Sequence, residues 1–177
     1  MTETATDAVA TELEVHTEVF WYVAHTRPRC EKKLVEFCQR ENYSTTLPII
    51  KSVKKYRGKT VVFEKPLFPG YVFMQLIKPA RQKVFQSNYV ANLLEVFDQA
   101  EFEKQLNDIL MALDSDLEVC LAPTIKPGTK VKIRTGPLRG CEGFVESRKG
   151  MVEVYLRLDF IGQAAAVRVD AADLELI

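Results

Sequence analysis

The sequence has few of the residues from which metal sites and active sites are built. Its 177 residues include only four cysteines and two histidines, and the cysteines form no Cys-x-x-Cys pair. No Ser/His/Asp or Cys/His arrangement is recognisable, and the glycine-punctuated residues 134–140 lack the Gly-Lys-Ser/Thr ending of a phosphate-binding loop. We therefore expect no catalysis, no metal and no cofactor. The cysteines are expected to be small buried side chains: Cys30, Cys38, Cys120 and Cys141.

Long apolar runs and an N-terminal positive charge are missing as well. No stretch approaches the roughly 18 uncharged apolar residues of a membrane span. Residues 1–26 carry five acidic side chains and no Lys or Arg, whereas a secretory signal begins with positive charge followed by an apolar run. These absences predict a cytoplasmic protein that acts away from membranes. We also expect it to be a monomer. Residues 1–18 are expected to be a disordered acidic tail.

The net charge of zero conceals a basic segment. The chain has 24 basic and 24 acidic residues, yet residues 27–65 contain eleven of the basic and four of the acidic ones. A local excess of +7 can attract phosphate even when the whole chain is neutral. A phosphate-bearing partner is therefore expected near the first half of the chain.

Helical and strand patterns predict an α+β sandwich domain over residues 19–113. The aromatic run at residues 19–25 predicts a buried strand, and Pro28 is placed to open the amphipathic helix that follows. Residues 57–59, Arg-Gly-Lys, resemble a hairpin tip, and Asp98 with Glu101 forms a capping box before the last helix. Further strands are predicted at residues 44–47, 49–56, 60–64, 71–77 and 92–97, with a short helix at residues 79–87.

The remaining sequence predicts a linker and a second, all-β domain. Residues 114–124 lose the helical periodicity and contain Pro123, as expected of a linker. Residues 125–177 alternate apolar and polar side chains in short segments separated by six glycines, which indicates a small closed barrel. Gly136 and Gly140 are expected at positive φ, and Gly143 at a close approach of two strands.

Several motifs carry a resemblance to a known family. Residues 126–150 (KPGTKVKIRTGPLRGCEGFVESRKG) resemble a KOW motif. The opening Trp-Tyr-Val at residues 21–23, Pro48, and residues 66–73 (PLFPGYVF) resemble the N-terminal (NGN) domain of NusG-family transcription elongation factors. The likeness runs from residue 21 to residue 177. It implies a ferredoxin-like antiparallel sheet domain followed by an SH3-like barrel, and the start of the first helix is similar to that of the specialised antitermination paralogs typified by RfaH.

The resemblance implies three binding sites. The first domain is expected to contact the β′ clamp helices of RNA polymerase through Trp21, Tyr22, Phe68, Tyr71 and Phe73. The non-template DNA strand is expected to contact the basic helix and hairpin. Its bases are expected to be read by His25, Arg27 and Gln39. Its phosphates are expected to contact the basic residues Arg29, Lys32, Lys33, Arg40, Lys54, Lys55, Arg57 and Lys59. The barrel is expected to recruit ribosomal protein NusE, or alternatively Rho, through Leu138, Cys141, Phe160 and Ile161.

Other interpretations of the same residues stay open. At least one of Trp21 and Phe73 is expected in an ordinary core, the basic helix face has the pattern of a solvated surface, and Phe160 has the alternative of plugging the barrel end. The housekeeping elongation factor is the alternative within the family. A ribosome-associated RNA-binding protein would need a strongly basic barrel, whereas residues 124–177 carry an excess of only +2. Refolding of the barrel to helix is disfavoured by its strand-forming composition.

Overall fold

The computed structural model describes residues 18–122, 128–145 and 150–177. The predicted acidic tail at residues 1–17, the linker end and barrel entry at residues 123–127, and residues 146–149 lie outside the described residues. The chain divides into two compact units. The first unit combines the chain up to Leu47 with Gly70–Gln99, and the second unit combines Pro48–Pro69 with Ala100–Ile177. Residues 48–69 and 100–113, which we assigned to the first domain, thus group with the barrel.

The first unit is built on a four-stranded antiparallel sheet. Its strand order is β2-β5-β1-β6, where β1 is Val19–Thr26, β2 Ser44–Thr46, β5 Tyr71–Ile77 and β6 Val90–Glu95. Two helices accompany it, α1 at Glu31–Arg40 and α2 at Ala80–Phe85. Helix α1 begins three residues later than predicted. Arg29, with φ of +61°, has left-handed backbone that cannot continue a right-handed helix back to Pro28.

One face of this sheet and the two helices enclose a common core. Successive side chains of a strand point to opposite faces, so Tyr22 and Ala24 of β1 lie on the same face of the sheet. Met74 of β5, which pairs with Tyr22, lies on this face as well. The helices contribute apolar side chains at i and i+4. The buried members of this core are Tyr22, Ala24, Leu34, Cys38, Val72, Met74, Leu76, Ala80, Val84, Val90 and Leu93. Burying each large apolar side chain contributes about 1.5–3 kcal/mol, so this core is the main support of the unit.

A two-stranded hairpin forms part of the second unit. Strand β3 (Ile49–Tyr56) pairs with β4 (Lys59–Pro66) through eight residue pairs that end at Tyr56 opposite Lys59. The two turn residues, Arg57 and Gly58, have φ of +47° and +76°. Two-residue turns with positive φ at both positions match the twist of a hairpin. The predicted Arg-Gly-Lys tip is confirmed.

The rest of the second unit is a helix and a six-stranded antiparallel sheet. Helix α3 is Gln99–Asp114. The strands are β7 Val119–Leu121, β8 Thr129–Ile133, β9 Glu142–Val145, β10 Met151–Leu158, β11 Gln163–Asp170 and β12 Leu174–Leu176. Their order in the sheet is β12-β8-β9-β10-β11-β7. The prediction of residues 114–124 as a plain linker is wrong at β7, because Val119 pairs with Val167 of β11 and the Ala122 N–H donates to the Ala164 carbonyl at 2.9 Å.

Glycine allows β9 and β10 to approach closely. A Cβ added to Gly143 would lie 2.4 Å from Val154 Cγ1 and 3.0 Å from the Tyr155 carbonyl oxygen. Gly136 and Gly140, at φ of +80° and +93°, occupy the left-handed region that favours glycine. The predicted roles of these three glycines are confirmed, and so is the α+β architecture of a sheet domain with an all-β domain.

Candidate functional site

The strand register separates the aromatic residues that we predicted to bind polymerase. Trp21 lies opposite Gln75, Val23 opposite Phe73 and His25 opposite Tyr71, so the side chains of Trp21, Phe73 and Tyr71 share one sheet face. Tyr22 points to the opposite face and is fully buried in the helix-covered core. Burial and the nearby Glu95 carboxylate raise the pKa of its phenol, while Arg81 acts against them. A direct contact of Tyr22 with a partner is therefore a prediction that the structure corrects.

Two further members of that set are core residues. Phe68 and Phe73 retain 1% and 0% of their surface exposed, so they present nothing for a partner to touch. Trp21 and Tyr71 are half-buried and keep part of each ring accessible. The expectation that at least one of Trp21 and Phe73 lies in an ordinary core is confirmed at Phe73, whereas the burial of Phe68 was not expected. A direct polymerase contact stays a prediction for Trp21 and Tyr71.

Sequence reasoning missed the exposure of Phe97, the most exposed aromatic residue among those that the structure describes. Its side chain is 94% exposed, whereas we placed it at the end of a predicted strand. The neighbouring backbone is held in place, because the Val96 N–H donates to the Trp21 carbonyl at 3.2 Å. The Gln99 side chain accepts from the Trp21 N–H at 2.6 Å and donates to the Trp21 carbonyl at 3.1 Å. The signal available in the sequence was a lone Phe directly before the capping-box Asp98, where the apolar strand pattern stops.

The turn that contains Gly70 is attached to the start of α1. Gly70, at φ of +86°, donates its N–H to Glu31 Oε1 at 2.9 Å and accepts from the Thr26 N–H at 2.8 Å. The His25 ring is 3.7 Å from the position of a Cβ on Gly70, and its centroid is 5.3 Å from that of Tyr71. A Cβ at position 70 would thus touch the His25 ring at ordinary van der Waals distance, and it is the positive φ that favours glycine there. The turn therefore fixes His25 and Tyr71 beside the basic start of the helix.

Helix α1 presents one exposed basic face. At about 100° per residue, Lys32, Lys33, Gln39 and Arg40 fall within an arc of about 120°, and all four side chains are exposed. Glu36 lies within the same arc and reduces its charge. Leu34 and Cys38 lie on the opposite side, in the core. The predicted DNA residues at the end of β1 and in the turn before α1 are exposed as well: His25, Arg27 and Arg29.

The basic residues of the hairpin are exposed in the second unit. Lys54, Lys55, Arg57 and Lys59 all face solvent. Lys54 lies opposite Val61 and Lys55 opposite Thr60, so the two adjacent lysines point to opposite faces of the ribbon. The predicted DNA-contact set is thus accessible throughout, and its role stays a prediction.

Two of the predicted partner-binding residues of the barrel are buried. Leu138 and Cys141 each retain 1% exposure. Burial, followed by the Asp108 carboxylate that accepts a hydrogen bond from the thiol, raises the pKa of the Cys141 thiol to about 12. Burial also raises the pKa of Asp108 itself. These side chains are internal packing, so their direct partner contact is a prediction that the structure corrects.

The loop that carries the other two barrel residues contacts α3 within the same compact unit. Phe160 and Ile161 are half-buried in a short 3-10 helix, and the Phe160 ring packs edge-on against Phe102 with centroids 6.0 Å apart at 80°. The Gln105 amide accepts from the Asp159 N–H at 2.9 Å and donates to Asp159 Oδ2 at 2.8 Å. Phe160 therefore has part of its ring covered by α3.

An ion-pair cluster lies beside this contact. Glu142 Oε2 is 2.9 Å from Lys130 Nζ and 3.1 Å from Lys104 Nζ. The hydrogen bond from Lys130, followed by that from Lys104, lowers the pKa of the Glu142 carboxyl below its usual range. Because Lys104 belongs to α3, the cluster adds to the contacts between that helix and the sheet.

The described part of the chain has neither a metal-binding cluster nor a helix suited to crossing a membrane. Within residues 18–122, 128–145 and 150–177, no three His, Cys, Asp or Glu side chains converge on a position that could hold a metal ion. Over the same ranges, no helix has both the length and the apolar composition that a membrane crossing requires.

Comparison with known families matches residues 20–111 to the model described as transcription termination factor nusG. This match covers just over half of the 177 residues. The chain belongs to the NusG family. It is accordingly a transcription factor of the NusG type, as the motifs at residues 21–23 and 66–73 predicted.

Two relatives of this NusG-family chain extend the likeness beyond the matched residues. It is 22% identical over 186 residues to the transcription termination/antitermination protein NusG of Borreliella burgdorferi, which covers 89% of this chain and 98% of that protein. The solved structure titled "Domain interaction in Thermotoga maritima NusG" superposes with a TM-score of 0.52 at 20% identity, covering 92% of this chain and 99% of that one. The second likeness shows that the two proteins share a fold.

Proposed function

We propose that this NusG-family protein is a non-enzymatic transcription elongation and antitermination factor of the cytoplasm. It binds the β′ clamp helices of RNA polymerase through its first domain and recruits a second partner through its barrel. The observation that carries the proposal is the exposed aromatic surface of the first unit, where Phe97 is 94% exposed beside the half-buried Trp21. Aromatic side chains are effective interface anchors because they bury a large area at a modest cost in side-chain entropy.

Replacement of Phe97 tests the polymerase contact. Phe97→Ala should weaken binding to the polymerase by roughly tenfold or more, since an interface anchor contributes about 2 kcal/mol when truncated. Tyr71→Ala should also weaken it. Phe85→Ala is the matched control, because Phe85 is an exposed phenylalanine, 52% accessible, on α2 of the same unit. Equal losses for Phe97→Ala and Phe85→Ala, or full affinity in both, would contradict the assignment.

The basic face of α1 is proposed to contact the non-template DNA strand. Lys32 and Lys33 are exposed on this face, and each phosphate contact contributes to the salt dependence of binding. Charge reversal of both residues should reduce the salt dependence of DNA-dependent effects and leave polymerase affinity intact. Lys132→Glu, at an exposed position of β8, is the control. An unchanged salt slope in the double variant would mean that this helix face is merely solvated.

The barrel is proposed to recruit ribosomal protein NusE or Rho through the loop at Phe160 and Ile161. Because Gln105 of α3 holds Asp159 of this loop, Gln105→Ala should free the loop and raise partner affinity, and Phe160→Ala should lower it. Titration of each purified partner against the full chain distinguishes NusE from Rho. A Phe160→Ala variant that binds both partners as the wild type does would remove the loop from the proposal.

Within the family we propose an operon-directed paralog, on the likeness of the segment at residues 26–33 to RfaH-type proteins. The Borreliella relative, matched over 98% of its length, supports the housekeeping factor as the second candidate. Single-round transcription by the cognate polymerase on an operon leader and on arbitrary templates separates the two. An effect on the leader alone supports the specialised role, and an equal effect on all templates supports the housekeeping role. No effect on either would favour a ribosome-associated RNA-binding protein.

A further inference from the structure

The hairpin formed by β3 and β4 is a ribbon with both faces open. Every residue of β4 from Lys59 to Lys65 is exposed, and so is every residue of β3 from Val53 to Tyr56. Apolar side chains in such a ribbon gain little from folding, since burial is what stabilises them. Even so, five large apolar residues are at least one-third exposed on it: Val53, Tyr56, Val61, Val62 and Phe63. A ligand is the physical explanation for their accumulation.

The ribbon is also strongly cationic. Residues 49–66 contain six basic side chains and a single acidic one, Glu64, for a net charge of +5. A high positive charge with exposed aromatic rings is the combination that single-stranded nucleic acid requires, because phosphates contact the cations while bases stack on the rings. The basic residues are Lys51, Lys54, Lys55, Arg57, Lys59 and Lys65.

The register collects the aromatic residues on one face. Tyr56 lies opposite Lys59 and Phe63 opposite Ser52, and both positions point to the same side of the ribbon. Tyr56 is 67% and Phe63 49% exposed. Four residues separate position 56 from position 52, which places the two rings about 14 Å apart along the strand direction.

Basic residues alternate with these rings on the same face. Lys54 lies between the two rings, opposite Val61, and Lys65 lies one step beyond Phe63. The Arg57 guanidinium is 5.5 Å from the centroid of the Tyr56 ring. The opposite face carries the Val53–Val62 pair with Lys51 and Lys55 and holds no aromatic side chain. The opposite face also carries Glu64, opposite Lys51, so it has less positive charge than the face with the two rings as well as no ring of its own.

We propose that the face carrying Tyr56 and Phe63 binds an unpaired nucleic-acid strand, with bases stacked on both rings and phosphates held by Lys54, Lys59 and Lys65. The inference deepens the DNA contact of the proposed function and rests on it for the source of the strand. A duplex has its bases stacked against each other, so it can use the lysines of this face but not the rings. Preference for single strands is therefore the property that the aromatic residues confer.

The test is fluorescence anisotropy of the full chain with a labelled 20-nucleotide DNA of mixed sequence, single-stranded or as a duplex, without polymerase. Tyr56→Ala and Phe63→Ala should each weaken single-strand binding by roughly 5- to 150-fold, the effect of losing one base stack. Binding of the duplex should change much less. Tyr56→Phe keeps the ring and should restore single-strand affinity.

Matched controls come from the opposite face. Val62→Ala removes an exposed apolar side chain without a ring and should leave single-strand binding unchanged. Lys54→Gln should lower the slope of log affinity against log salt by about 0.7, whereas the same change at Lys51, which lies on the opposite face and pairs with Glu64, should have little effect. All these positions are exposed, so circular dichroism should report an unaltered fold.

Three outcomes would overturn the inference. The first is unchanged single-strand affinity in both aromatic variants, and the second is an equal loss for single strands and duplex. The third is unchanged DNA binding together with lost polymerase binding in Tyr56→Ala, which would mean that a protein occupies this face. Failure of the proposed function would give a different result from failure of this inference. The protein would then have no effect on elongation, while Tyr56→Ala and Phe63→Ala would still weaken single-strand binding in the anisotropy series.

Discussion

Replacing Gly143 with alanine should destabilise the barrel by a purely steric effect. The new Cβ would be 2.4 Å from Val154 Cγ1, more than 1 Å inside the optimal carbon–carbon separation of about 3.5–4.0 Å, and 3.0 Å from the Tyr155 carbonyl oxygen. Val154 is fully buried and its β-branched side chain is stiff, so it has no free rotamer to retreat to. Overpacking of this kind costs about 1–3 kcal/mol.

We expect the upper end of that range, about 3 kcal/mol, because a backbone oxygen is also involved. A loss of this size would lower the Tm of a unit of this length by roughly 12–24 °C. Thermal unfolding of the full chain followed by circular dichroism gives the Tm. Amide hydrogen exchange in β9 and β10 shows where the loss occurs. If the barrel recruits the second partner, that recruitment should fail at temperatures where the variant barrel is unfolded.

Two controls separate this clash from other effects. Gly136→Ala adds a Cβ that has no other atom within 4 Å, so the only destabilising effect is the strain of placing alanine at a φ of +80°. Val154→Ala combined with Gly143→Ala should be less destabilising than the two single losses added, because the truncation removes the clashing methyl. Additive losses, or a Gly143→Ala cost no larger than that of Gly136→Ala, would refute the steric argument.

Two further predictions concern thiol reactivity and pH. Cys120 is exposed, contrary to the expectation of four buried cysteines, and should react rapidly with a thiol reagent in the native protein. The buried Cys38 and Cys141, whose pKa values burial raises to about 11 and about 12, should react only on unfolding, and equal rates for all three would contradict this. The hydrogen bond from Lys130 lowers the pKa of Glu142 in the folded state below its pKa in the unfolded state. The ionised carboxylate therefore stabilises the fold at pH values above its unfolded-state pKa. This contribution disappears as the pH falls through its folded-state pKa. Glu142→Gln should therefore cost up to about 1 kcal/mol at neutral pH and nothing in strong acid, as urea unfolding at several pH values would show.

The sequence predicted secondary-structure elements best where their conformation depends on residues that are close together in the chain. The hairpin tip was found because Gly58 supplies a positive φ at a two-residue turn. We predicted the start of α1 too early because Arg29 has a left-handed backbone conformation. Arginine rarely adopts this conformation, so the residue type did not indicate it. The strand at Val119–Leu121 was missed because three residues form no recognisable alternation, and their pairing with β11 is a contact distant in sequence.

The sequence predicted which residues form the candidate sites better than it predicted which of those residues are exposed. The basic face of α1 follows from helical spacing, and its lysines are exposed as that spacing requires. Tyr22, Phe68 and Phe73 were correctly recognised as aromatic members of a family motif, yet all three are covered. Phe97 has no motif around it and is almost wholly exposed.

The sequence by itself determined the α+β order of elements, the hairpin and its cationic charge, and the family. These properties depend on side-chain chemistry and on backbone preferences within a few residues. Only the tertiary structure decided that Tyr22 lies under the helices while Tyr71 keeps an accessible ring, that Tyr56 and Phe63 share one face of the ribbon, and that α3 covers part of Phe160. Burial and register are set by residues distant in sequence, so a local pattern cannot specify them.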